Sequence, residues 1–177
     1  MRKKLLLYSM LLPALLLGHP EKKQDIWEPF QFLVGEWEGK GEGKSGLSQV
    51  EKNFHFIMNG KYLHLKTRAV FEPQERNLEG EVHEDWGFFS YDLFKKKFVF
   101  RQFNSEGFIN QYVLESISDD GKTLIFDSEQ LENAPPGWRA RITYKIVDDY
   151  NLVESFDLAT PGKELQCYIR NVLERKK

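Results

Sequence analysis

From residue 35 to the C-terminus, apolar and polar residues alternate with a period of two, and turn-forming residues interrupt them every ten or so positions. Strands are expected at about 35–43, 48–58, 61–71, 80–91, 97–104, 108–117, 123–131, 138–147, 151–158 and 164–174. Between them stand Asn59-Gly60, Pro73, Glu106-Gly107, Asp119-Asp120-Gly121, Pro135-Pro136-Gly137, Asp148-Asp149 and Pro161-Gly162, all turn formers. Short connections between about ten strands predict an all-β, single antiparallel up-and-down β-barrel. Ahead of the first strand, Ile26, Trp27, Phe30, Leu33 and Val34 have helical spacing behind Asp25, a possible N-cap. This segment predicts a short N-terminal helical plug for one end of the barrel.

The alternation also assigns faces. In the first strand Gly35, Trp37, Gly39, Gly41 and Gly43 share one face, and Glu36, Glu38, Lys40 and Glu42 the other. Glycine weakens a strand, so this run calls for curvature or a close backbone approach, as in a closing barrel. The Asn59-Gly60 turn sets Phe56 against Leu63 and Phe54 against Leu65 on the inside, with His55 opposite His64 outside. Near the end, Trp138, Ala140, Ile142, Tyr144 and Ile146 form an inward set. Leu152, Glu154, Phe156 and Leu158 form another, which places a carboxylate among apolar residues.

The middle of the chain depends on register. If Phe71 faces Gly80, then Val82, Glu84, Trp86, Phe88 and Ser90 point inward, and Lys66 pairs with Asp85 outside. A four-residue loop after Asp92 then turns Val99, Arg101 and Phe103 inward. A one-residue slip would instead turn Phe98, Phe100 and Gln102 inward. Arg101 is expected inside.

Composition narrows the function. Residues 1–18 carry a basic start, Arg2-Lys3-Lys4, an apolar run from Leu5 to Leu17 and a small residue at Gly18. Together these predict a signal peptide and an exported (secreted or periplasmic) chain, with residues 19–177 as the barrel domain. Leu16 stands where a small residue is preferred, so an uncleaved anchor is the alternative. The apolar run is shorter than the ~20 residues of a transmembrane helix, and no membrane association is expected after cleavage. Cleavage removes three cations and takes the formal charge from −2 to −5, which argues against a nucleic-acid partner. Cys167, the one cysteine, has no internal disulfide partner and is expected to pack as a small hydrophobe.

The opening Phe32-Leu-Val-Gly-Glu-Trp-Glu-Gly-Lys-Gly-Glu-Gly43, with Gly35-x-Trp37 at its head, resembles the first strand of calycin (lipocalin-like) barrels. With Phe89-Ser-Tyr-Asp-Leu-Phe-Lys-Lys-Lys97, it is similar to nitrobindins, which are ten-stranded haem-binding barrels, and to bacterial lipocalin-like domains. The resemblance implies a first-strand Trp packed on a last-strand Arg or Lys, here Trp37 and Arg170. The alternation itself leaves this open, because Leu165, Cys167, Ile169 and Leu173 form the more apolar face. The resemblance also implies haem held by a late-strand histidine. All four histidines, His19, His55, His64 and His83, come too early for that role.

These readings predict a barrel that binds a small, largely apolar ligand. Trp37, Trp86, Phe88, Trp138, Tyr144 and Phe156 would form the walls, with Glu84, Arg101, Glu154 and Arg170 as polar groups. No cofactor or metal is expected. The alternatives are haem or porphyrin binding with non-histidine ligation, and a small barrel enzyme using Glu84 and Glu154 as paired carboxylates. No nucleophile elbow, zinc signature or phosphate-binding loop supports catalysis.

Overall fold

The computed structural model describes residues 25–177. A 3-10 helix, Glu28–Leu33, leads into ten strands: β1 (Gly35–Gly43), β2 (Gly46–Ile57), β3 (Tyr62–Phe71), β4 (Glu81–Asp92), β5 (Lys97–Asn104), β6 (Ile109–Ile117), β7 (Thr123–Glu132), β8 (Arg139–Ile146), β9 (Asn151–Ala159) and β10 (Gln166–Arg175). Each strand pairs antiparallel with its sequence neighbour, and β10 pairs with β1 to close the barrel. The expected all-β meander and its N-terminal plug are both present.

The glycines of β1 serve the closure. A Cβ at Gly39 or Gly43 would collide with the β10 backbone at Val172 and Tyr168. Only glycine lets the first and last strands approach this closely.

The helix fills one end. Phe30 and Leu33 are fully buried, and Phe30 packs on Phe89, Phe98 and Phe126 while Trp27 packs on Phe56 and Phe98. Beneath them Phe89 and Phe100 stack with centroids 4.0 Å apart. Phe54, Phe126 and Leu63 are also fully buried, so this half of the barrel is solid.

The opposite end is different. There the inward-facing Leu131, Phe156, Leu158 and Ile169 are only half-buried, and polar side chains stand across from them. On the rim, the Gln74 side chain takes the Leu47 amide proton at 2.7 Å and donates to the Leu47 carbonyl at 2.8 Å. It thereby extends the β2–β3 ladder beyond Phe71.

One register differs from expectation. Phe71 pairs with Glu81, because Gly80 is spent in the preceding turn with φ +69° and bonds back to Asn77. A one-residue shift exchanges the faces of a whole strand. His83, Asp85, Gly87, Phe89 and Tyr91 therefore take the inward face of β4, and Glu84, Trp86 and Phe88 point out. Lys66 faces Trp86, and Thr67 faces Asp85. The four-residue β4–β5 loop is as expected, with Asp92 opposite Lys97. It passes the exchanged face on to β5, so Phe98, Phe100 and Gln102 point in and Arg101, beside Phe88, points out.

In β10 the ladder shifts between Cys167 and Ile169, leaving Cys167 exposed rather than packed in the core. Arg170 is exposed as well, while Asn171 and Leu173 are buried. The cation on the Trp37 ring is Arg175, with its guanidinium carbon 4.2 Å from the ring centroid.

Candidate ligand site in the barrel lumen

Between the solid half and the half-open end, the lumen contains two polar rows, each running across three adjacent strands. On one wall Lys52, Thr67 and Asp85 are direct register partners on β2, β3 and β4. On the other, Tyr144, Glu154 and Asn171 are direct partners on β8, β9 and β10. Residues in register on neighbouring strands point to the same side, so each row faces the interior as a unit.

A buried ion pair joins the rows. Lys52 Nζ lies 2.9 Å from Glu154 Oε2, with side chains 4% and 8% exposed. Lys52 also donates to Thr67 Oγ1 at 3.1 Å, and Asn171 Nδ2 donates to Glu154 Oε2 at 2.6 Å. Burying two charges is costly unless they are paired and further hydrogen-bonded, and both conditions hold here. Gln102 Nε2 donates to Asp85 Oδ2 at 3.3 Å. Burial holds the Asp85 carboxyl above the usual carboxylate range, against the opposing pull of Lys52.

Around this pair Ser48 Oγ and Asn171 Oδ1 are buried without a hydrogen-bond partner, while Tyr144 Oη is directed at Glu154 and Tyr112 Oη at Asn110. Burial keeps both phenols protonated well beyond the ordinary tyrosine range, and the Glu154 charge adds to the effect at Tyr144. An unpaired buried polar group costs about 1–3 kcal/mol, so such atoms call for a partner, either ordered water or a hydrogen-bonding guest.

The expected site residues divide between the two sides of the wall. Trp37, Tyr144, Glu154 and Phe156 are inward, and Trp138 is half-buried just before β8. Glu84, Trp86, Phe88, Arg101 and Arg170 are on the outside. Glu84, Trp86 and Phe88 instead line, with Phe103, a shallow outer depression of about 430 Å³. Glu84 and Glu154 thus stand on opposite sides of the wall and form no carboxylate pair. Lys52, Thr67, Tyr112 and Asn171 were not singled out from the sequence, and Asp85, expected outside as the partner of Lys66, faces the lumen instead. Lys52 was within reach: Ser48, Val50, Lys52, Phe54 and Phe56 share one face, and the Asn59-Gly60 hairpin already places Phe54 inside.

The fold and lumen define a closed ten-stranded barrel of calycin type, plugged at one end and polar within. A profile of the "THAP4-like, heme-binding beta-barrel domain" matches residues 27–175, and the chain belongs to that family. No curated protein matches the sequence. Among solved structures it is similar to Rv2717c from M. tuberculosis, with 18% identity and a TM-score of 0.64, covering 85% of this chain and 97% of that one. A de novo designed fluorescence-activating β-barrel aligns at 10% identity and a TM-score of 0.40, over 82% of this chain and 95% of its own.

Among the described residues no histidine stands free in the lumen for a haem of the kind in the family's description. His55 and His64 face outward with ring centroids 4.9 Å apart. His83 faces inward, but its Nδ1 meets the Glu106 carboxylate and its Nε2 lies 3.0 Å from Glu81. The strands after β4 contain no histidine at all.

Proposed function

We propose that this protein binds a small, largely apolar molecule non-covalently in the half-open end of its barrel. The apolar body lies along Leu131, Phe156, Leu158 and Ile169, and a polar end meets the network around Lys52 and Glu154. The observation that carries this reading is the set of unpaired buried polar atoms around a fully paired ion pair. A network meant only to hold the barrel together would satisfy its own hydrogen bonds. The basic and apolar N-terminal segment, which lies outside the described residues, supports export as part of the proposal.

Titration with the neutral fluorescent probe N-phenyl-1-naphthylamine tests the binding reading. Saturable one-to-one binding is expected, and Leu158→Trp, at a half-buried inward position, should abolish it in a chain that still folds. Absence of saturable binding would remove the proposal. Haem is the control. A Soret shift at stoichiometric haem would favour the family's porphyrin over the ligand proposed here.

A further inference from the structure

We propose that the plugged end of the barrel docks on the surface of an anionic lipid bilayer, through the tips of the β2–β3 and β4–β5 turns. Exposed apolar residues scattered singly over a surface mean little, but here four stand on three adjoining segments. Met58 is 68% exposed in the β2–β3 turn, and Leu93 and Phe94 are 77% and 99% exposed in the β4–β5 turn. Ile26, just before the plug helix, is 45% exposed. Trp27 sets Ile26 between the two turns, because its ring packs both on Phe56, near the end of β2, and on Phe98, near the start of β5. Local folding calls for neither apolar tip. Met58 stands at φ +49°, which Gly or Asn adopts at less cost. Asp92 accepts from the Phe94 and Lys95 amides, each at 2.9 Å, and so fixes a turn that holds Phe94 out in solvent.

The charge around these tips selects the partner. Lys61 closes the turn that holds Met58, and Lys95, Lys96 and Lys97 follow Phe94, all four exposed. Lys95 reaches Glu129 at 3.5 Å, and Lys61, Lys96 and Lys97 have no ion-pair partner among the described residues. Of the acids beside them, Asp25 and Asp92 are turned back onto backbone amides, which leaves Glu28. Apolar tips that enter the headgroup boundary, ringed by lysines that lie among phosphates, are what an anionic bilayer surface accepts. Other exposed apolar residues sit beside acids instead. Tyr150 follows Asp148 and Asp149, and Leu78, at the open end, stands among Glu75, Glu79 and Glu81. Asp119 and Asp120 in the β6–β7 turn add to the acidic side, so the barrel leans on its β2–β5 side. The segment before Ile26 repeats the combination, with Arg2-Lys3-Lys4 ahead of Leu5 to Leu17, and it joins the barrel at this spot. The shortness of that run speaks against a spanning helix, not against surface contact by the barrel itself.

Co-sedimentation with vesicles of phosphatidylcholine alone, and of phosphatidylcholine and phosphatidylglycerol in equal parts, tests the proposal. Residues 19–177 carry the plug and all ten strands, the whole of the closed barrel, and lack the apolar run, so any binding belongs to the barrel. The mixed vesicles should bind at least about tenfold more tightly than the neutral ones, since each lysine at an anionic surface contributes about fivefold. Salt at ~0.5 M should remove most of that difference. Leu93→Ser/Phe94→Ser should weaken binding at least about tenfold, the scale of one large apolar side chain left in water. Lys61→Gln/Lys96→Gln/Lys97→Gln should weaken it as much. Both variants replace exposed side chains and should melt with the parent, while Tyr150→Ser and Leu78→Ser should bind as the parent does. No sedimentation with the mixed vesicles would overturn the proposal and give the tips to a protein partner. Equal binding to both kinds of vesicle, or unchanged binding by either tip variant, would overturn it as well. Probe binding in the lumen is measured without vesicles and stands or falls separately.

Discussion

Arg175, near the end of the last strand, lies over Trp37, near the beginning of the first. Its guanidinium donates to the carbonyls of Phe32 and Val34, each at 2.5 Å, while Trp37 Nε1 donates to the Leu33 carbonyl at 2.8 Å. The two side chains together tie the plug helix to the seam where β1 meets β10. The carbonyls at the end of a short helix lack partners within it, and here the cation supplies them.

Arg175→Ala should therefore cost about 2–4 kcal/mol, from the lost cation–π contact and two charge-assisted hydrogen bonds. Urea denaturation would measure it. Arg170→Ala, on the exposed face of the same strand, should fall within about 0.5 kcal/mol of the parent. Equal effects at the two positions would contradict the seam described here.

The lumen pair offers a sharper test. Lys52→Met or Glu154→Gln alone leaves the partner buried without its counterpart, and a loss of about 3–5 kcal/mol is expected for the lysine deletion. The double substitution Lys52→Met/Glu154→Leu should recover much of that stability, since a well-packed apolar replacement removes both charges together. A cycle of denaturant unfolding curves gives the coupling energy. Additive losses would mean that the two side chains do not interact as the structure has them.

Asp85 makes stability depend on pH. Its folded-state pKa is raised above the ordinary 3.8, with burial the main cause. Such a group's contribution is fully present below the unfolded value and is lost as pH rises through the folded one. Asp85→Asn should accordingly stabilise the protein at neutral pH, and its advantage over the parent should shrink toward zero as pH falls below about 3.8. Thermal melts of both chains across this range would show it. A gap that grows on acidification would contradict the burial assigned to this carboxyl.

Cys167 sits at the irregularity of β10 and is exposed. The folded protein should thus react with a maleimide or with Ellman's reagent to one equivalent without denaturant. Reaction only after unfolding would place the thiol in the core.

Outer-face residues separate the site from its surroundings. Glu84→Gln, Trp86→Ala and Arg101→Ala should leave probe affinity within about twofold, since all three point away from the lumen. A larger loss in any of them would move the binding site to the outer depression.

Much of the barrel is legible in the chain because its information is local. Turn residues mark the strand ends, and the period of two tells which residues share a face. The Asn59-Gly60 hairpin shows how well this works. Both residues have positive φ, and the pairs Phe54–Leu65, Phe56–Leu63 and His55–His64 occur as expected. The inward placement of Trp37, Tyr144 and Glu154 follows from the same rule.

Alternation cannot say how many residues a loop consumes. Between Phe71 and Glu81 the chain folds on itself through a Gln74–Asn77 bridge and spends Gly80 in the turn. That one residue decided the faces of β4 and β5 together, and with them Glu84, Trp86, Phe88 and Arg101. Partnership across the lumen lies further still from the sequence. Lys52 and Glu154 are about a hundred positions apart and meet only because barrel closure brings β2 opposite β9. The amino-acid sequence by itself determined a plugged, glycine-seamed antiparallel barrel with a buried acid. The tertiary structure decided which cation answers that acid and which polar atoms remain unpaired, because closing a sheet sets positions that no local period contains.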